Sequence, residues 1–174
     1  MVSSVRPSLA AATLEFTVSP GVESTPTPKV DYYLPYPGIL PDHPLYKVKM
    51  VRDWIWLWLT TEPVKKAELL LLFADKRIGA GKALIEGNQV SLGISTLTKG
   101  EKYAERVVIE ARNAKEKGKD IKKVVDRLKK ALLKYGEVLS DLREKDISSE
   151  GRASLDGLLE KIKNLAVEVE ELQK

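Results

Sequence analysis

The side chains able to do chemistry are few, and their spacing gives them little to work with. The only histidine, His43, sits between Asp42 and Pro44. A Ser-His-Asp triad would depend wholly on it, and no serine or carboxylate stands at a spacing that marks it as a partner. His43 reads instead as a helix cap or turn residue. A chain without cysteine has no thiolate nucleophile, no disulfide and no Cys-based zinc site. One histidine also excludes paired-histidine metal motifs. Glu168, Glu170 and Glu171 concentrate negative charge, but only Glu168 and Glu171 share a helix face, and nothing specifies a coordination shell. Gly79, Gly81, Gly87, Gly93 and Gly100 match neither a P-loop nor a dinucleotide fingerprint. The expectation is a non-enzymatic protein with no catalytic, cofactor-binding or metal-binding residues.

Charge narrows the partners. The chain carries 29 Lys and Arg against 25 Asp and Glu, a formal charge of +4. That is a milder imbalance than a nucleic-acid binder shows. The basic stretch from Arg112 to Lys134 reads as the solvated back of a helix, pairing in part with Glu168, Glu170 or Glu171. Its lone aromatic, Tyr135 just beyond, falls on an inward stripe, so no stacking platform for single strands is present. No apolar run approaches the ~20 residues of a membrane span. We expect no nucleic acid, no integral membrane span, a protein partner and a monomeric state.

The elements that would position these residues are helices. Residues 1–30, rich in Ser, Thr and Pro with TPTP at 25–28, read as a disordered or extended tail. Within them Thr13–Val18 alternates like a short strand too isolated to count. Residues 31–174 read as one domain with helices over about 44–59, 62–86, 89–117, 120–145 and 148–173. Pro44 and Pro63 suit first helical turns, with Asp42 or His43 and Thr60 or Thr61 as caps. Val64, Ala67, Leu71, Ala74, Ile78 and Ile85 make the second stripe, and Gly79, Ala80, Gly81 and Ala83 allow close approach of a neighbour. Gly87-Asn88 and Gly118 stop helices, and Ser148 or Ser149 caps the last. Ile121, Val125, Leu128, Leu132, Tyr135, Leu139 and Leu142 keep heptad spacing, answered by Leu155, Leu158, Ile162, Leu165, Val169 and Leu172. The fold class is all-α: a five-helix antiparallel bundle of helical hairpins with an extended Pro-rich N-terminal segment. A tetratricopeptide-like pair over the second and third helices lacks the ~34-residue repeat that would support it.

The stretch 32–73 organises the rest. It holds all three tryptophans, with Tyr32, Tyr33, Tyr36 and Tyr46 and a run of prolines before them. From Trp54 to Leu59 the helix is apolar all round, which calls for cover on two sides. The reading is core packing: Trp54 and Trp58 are buried, and the Tyr/Pro lead-in folds back over the second face. Two alternatives stand beside it. One is a partner-binding surface made of Trp54, Trp56, Trp58, Tyr33 and Tyr36. The other is interfacial membrane contact, with Lys47, Lys49 and Arg52 near the tryptophans.

Residues 35–86 carry a resemblance. Pro37-Gly38-Ile39-Leu40-Pro41 runs through Pro44-Leu45-Tyr46 to Lys49. The break Thr60-Thr61-Glu62-Pro63 is followed by Val64-Lys65-Lys66-Ala67-Glu68-Leu69 and then by Leu72-Phe73-Ala74-Asp75-Lys76-Arg77-Ile78. This order resembles a bacterial family of unknown function whose members are predicted to be exported, behind a signal peptide and a Thr/Pro-rich spacer. The resemblance implies an extracytoplasmic or secreted protein and brings no catalytic residues with it. The apolar leader is the departure, because residues 1–30 lack one. The functional expectation is a non-enzymatic extracytoplasmic interaction or structural module. The alternative is a cytosolic adaptor that binds a partner helix through the heptad faces of residues 121–142 and 155–172.

Overall fold

A computed structural model describes residues 30–173, so the expected tail and Thr13–Val18 lie outside the described residues, Val30 excepted. Five helices follow in order, and no strand occurs among the described residues: α1 Tyr46–Leu59, α2 Pro63–Glu86, α3 Val90–Glu116, α4 Lys122–Arg143 and α5 Ser149–Glu171.

Local chemistry explains most of the boundaries. Pro63 opens α2, where its missing N–H costs no hydrogen bond. Asn88 takes the left-handed conformation just past α2, and Gly118 does the same past α3. Ser148 caps α5 by accepting a hydrogen bond from the Gly151 amide. The expected caps of α1 and α2 are not used. Leu45 and Glu62 stand at those positions without a side-chain cap, and Thr60 Oγ1 instead donates back to the Trp56 carbonyl. His43 Nδ1 accepts from the Leu45 amide, so the lone histidine is a turn residue.

α2 with α3 and α4 with α5 form two hairpins, and the hairpins pack side by side. Within each hairpin the helices run antiparallel: Lys66 pairs with Glu110, and Arg143 with Asp156. Between hairpins the neighbours run parallel. Asp75 of α2 meets Tyr135 of α4, and further along Gly79 and Lys82 share a groove with Lys134 and Val138. α3 and α5 likewise stay in step, from Glu101–Lys161 to Arg112–Glu168 to Lys115 on the Leu172 carbonyl. The antiparallel relation therefore holds within the hairpins, while the two main seams between them, α2 with α4 and α3 with α5, are parallel.

The α2–α3 contact is the tightest. A Cβ added at Gly81 would sit 2.5 Å from Leu97 Cγ, and one at Gly93 would overlap the Ile85 side chain. The missing side chains let the two backbones approach, as the small-residue run suggested. Leu70, Leu71, Ile78, Leu97, Leu128, Leu132, Leu139, Leu155 and Val169 fill the shared core. The heptad faces of α4 and α5 are consumed by this packing, so they offer no stripe to a partner helix.

α1 stands apart from this four-helix body and, among the described helices, touches α2. The segment before it does not fold back over α1. It runs as a strap across α2, with Tyr32 and Leu34 against the core and Pro35 and Pro37 over Gly79. Gly38 takes positive φ at its turn, and Lys49 Nζ of α1 donates to the carbonyls of Pro37 and Ile39.

Candidate functional site

The strap's course decides what α1 exposes. Only Tyr46, Asp53 and Leu57 of α1 are buried, and these three share the face turned to α2. The Arg77 guanidinium lies 4.9 Å from the centre of the Tyr46 ring, and Arg52 donates twice to the Asp53 carboxylate, which uses up the one acid of the helix. The space under the helix, lined by Ile39, Tyr46, Asp53, Phe73 and Arg77, is about 10 Å³, too small for a substrate.

The expected burial of Trp54 and Trp58 is overturned: they are 65% and 71% exposed, and Trp56 is 59% exposed. The physical reason is the strap, which covers α2 and leaves α1 with cover on one side only. Tyr33 and Tyr36, on the strap, are 89% and 85% exposed. The five aromatics do not form one cluster. Trp54 and Trp58 lie together on one border of α1, Trp56 on the other, and the two tyrosines elsewhere on the strap. Among the described residues the ring–ring contact is Phe73 with Tyr103, inside the body.

Between the tryptophan borders the outer face of α1 is aliphatic. Val48, Val51, Ile55 and Leu59 recur at steps of three and four, which places them on one side of the helix. Val48, Val51, Arg52, Ile55, Trp56 and Leu59 line a shallow, mainly apolar cleft open to solvent. Three indoles at about 150–250 Å² each, more than half exposed, already match the largest apolar patch usual on a monomer, some 300–600 Å². The aliphatic residues extend it well past that.

The second notable group was not foreseen as a site. Asp75 is fully buried in α2 and accepts hydrogen bonds from Tyr135 Oη at 2.7 Å and Tyr32 Oη at 2.8 Å. Arg127 approaches to 3.7 Å. Burial pushes the Asp75 carboxyl above its ordinary range, and the two hydroxyls and Arg127 draw it back. Burial, then the Asp75 charge, raises the Tyr32 hydroxyl to about 12, and Tyr135 moves the same way for the same causes. A carboxylate with two tyrosines and an arginine invites a catalytic reading. Asp75, however, is sealed from solvent and both its oxygens are held, so it clamps the strap and α4 to α2. One signal for it stood in the sequence: a tyrosine on an inward heptad position needs a partner for its hydroxyl.

The remaining candidates are engaged locally. Glu168 pairs with Arg112, and Lys115 holds the Leu172 carbonyl, so that end of the α3–α5 seam is an ion-pair and capping contact. Glu101 is buried beside Lys161 at 3.8 Å, with its Oε2 lacking a hydrogen-bond partner.

Comparison with known proteins adds one finding. No curated protein and no solved structure matches the chain. A family profile, described as a domain of unknown function (DUF5667), matches residues 38–173. The match takes in all five helices and begins inside the strap, after Tyr33 and Tyr36. The chain belongs to this family of unknown function.

Proposed function

We propose that the protein is a non-enzymatic interaction module that works outside the cytoplasm and engages its partner through α1. The observation that carries this reading is the exposed apolar face of α1, which is larger than an ordinary monomer surface leaves open. Support also comes from the chemistry already spent: His43 holds a turn, and Asp75 holds the strap. The Thr/Pro-rich lead-in and the resemblance to predicted exported proteins support the compartment. The adaptor reading through residues 121–142 and 155–172 loses its surface, because Leu128, Leu132, Leu139, Leu155 and Leu165 are buried in the protein's own core.

Fractionating cells that express the full-length gene product tests both halves. The expected result is protein in the exported or envelope fractions, with a Trp54→Ser, Trp58→Ser double variant that stays folded but no longer co-sediments with envelopes. A purely cytosolic protein removes the compartment. Co-sedimentation unaffected by the double variant removes α1 as the contact.

A further inference from the structure

The order of residues around α1 says more than that it is apolar. Tyr46, Asp53 and Leu57 face α2. At 100° per residue, Val48, Val51, Ile55 and Leu59 fall opposite them, in the middle of the exposed arc. Lys47, Trp54 and Trp58 fall along one border of that arc, and Arg52 and Trp56 along the other. The cross-section is therefore aliphatic at its centre, with indoles and cations on both flanks and the protein body behind. Indoles settle where hydrocarbon gives way to headgroups, and long cationic side chains lay their stems on apolar surface while the charge reaches water or phosphate.

We propose that α1 is an in-plane anchor for a bilayer containing anionic phospholipid, with Val48, Val51, Ile55 and Leu59 entering the acyl boundary and the body held above it. The proposal rests on α1 being the docking element. Length fits: 14 residues make a helix of about 21 Å, too short to cross a ~30 Å hydrocarbon core but long enough to lie along its surface. Charge favours lipid over a second copy. Asp53 is buried and already holds Arg52, so the exposed face of α1 is left with the Lys47 charge and no free carboxylate. Two copies meeting through this face would bring Lys47 of each to a surface whose one acid, Asp53, already holds Arg52. An anionic headgroup layer supplies that complement, at roughly 1 kcal/mol per cation near the surface.

The three tryptophans of the chain are all on α1, which makes them reporters of this face alone. The test adds the purified full-length protein to vesicles of phosphatidylcholine and of phosphatidylcholine with phosphatidylglycerol. Vesicle flotation and tryptophan emission are read together. The expected result is co-flotation with the anionic vesicles, a blue shift of the emission, quenching by bromine-labelled acyl chains, and weakening in high salt. Val51→Asp with Ile55→Asp replaces exposed side chains, so the fold should survive, as circular dichroism checks. This pair should lower vesicle affinity at least ~10-fold, while Lys47→Glu should lower mainly the preference for anionic lipid.

Three results would overturn the proposal. One is no flotation and no blue shift with either vesicle. Another is a lipid-independent blue shift that grows with protein concentration, which identifies a second copy as the occupant. The third is envelope association that needs Trp54 and Trp58 but disappears when envelopes are pre-treated with protease. That last result leaves the interaction module standing with a protein partner. Envelope association indifferent to Trp54 and Trp58 would instead remove the module reading itself.

Discussion

α1 and α4 are both amphipathic helices with aliphatic residues at steps of three and four, yet one is half bare and the other is sealed. The stripe of α4 (Val125, Leu128, Leu132, Leu139, Leu142) is buried against α2 and α5. The stripe of α1 (Val48, Val51, Ile55, Leu59) faces outward. Periodicity states that a face wants cover and does not state who supplies it. What separates the two helices lies at their borders. α4 is flanked by lysines and acids that reach neighbouring helices or water. α1 is flanked by indoles, whose amphipathic rings suit a boundary better than a core.

The sharpest way to break that contrast is to truncate one residue of the sealed stripe and one exposed residue of α1 and measure denaturant unfolding. Leu128→Ala, in the sealed stripe, should cost about 2–5 kcal/mol, the range for deleting a buried leucine side chain. A much smaller loss would mean that the body relaxes around the gap and that the two stripes are less different than they look.

Tyr32→Phe probes the clamp joining strap to body and should have an intermediate effect. It leaves one Asp75 oxygen without its hydroxyl donor, at about 1–3 kcal/mol. It also carries a pH signature. The Tyr32 hydroxyl is raised from an ordinary 10 to about 12 in the folded protein. Its contribution is therefore complete below pH 10 and is lost as pH climbs towards 12. Unfolding free energy measured across that window should fall less steeply in Tyr32→Phe than in the parent. Part of the slope will remain, because Tyr135 is raised in the same direction. Identical slopes would show that the hydroxyl does not hold its proton as the hydrogen bond requires.

Trp58→Ala should have the smallest effect, within about 0.5 kcal/mol, as for other surface positions. A loss of several kcal/mol would return Trp58 to the core and dissolve the comparison.

Particular residues show what could be read in advance. The helix breaks at Gly87-Asn88 and Gly118, the Ser148 cap and the Pro63 start are local chemistry, and they stand where local rules place them. The inward position of Tyr135 followed from its heptad register. The strap did not follow. Its prolines announce an extended segment, but whether it crosses α1 or α2 depends on Tyr32 finding Asp75 some 43 residues away. Laid over α1 the strap would bury the tryptophans; laid over α2 it leaves them exposed. Asp75 itself went unnoticed because one acid inside an apolar helix looks like a solvated interruption. The parallel alignment of the hairpins was equally hidden, since periodicity carries no information about which way neighbours run.

That alignment sets the order in which the protein can assemble. Within each hairpin the partners are joined by short turns, so closing them costs little chain entropy. The seams between hairpins join residues at nearly constant separation, 60 for Asp75 with Tyr135 and 57 for Lys115 with Leu172. Contact topology of this kind favours two fast, local nuclei that dock afterwards. The Asp75 clamp spans the seam that docking closes, so Tyr32→Phe is expected to speed unfolding more than it slows folding, which the two arms of a denaturant chevron would read.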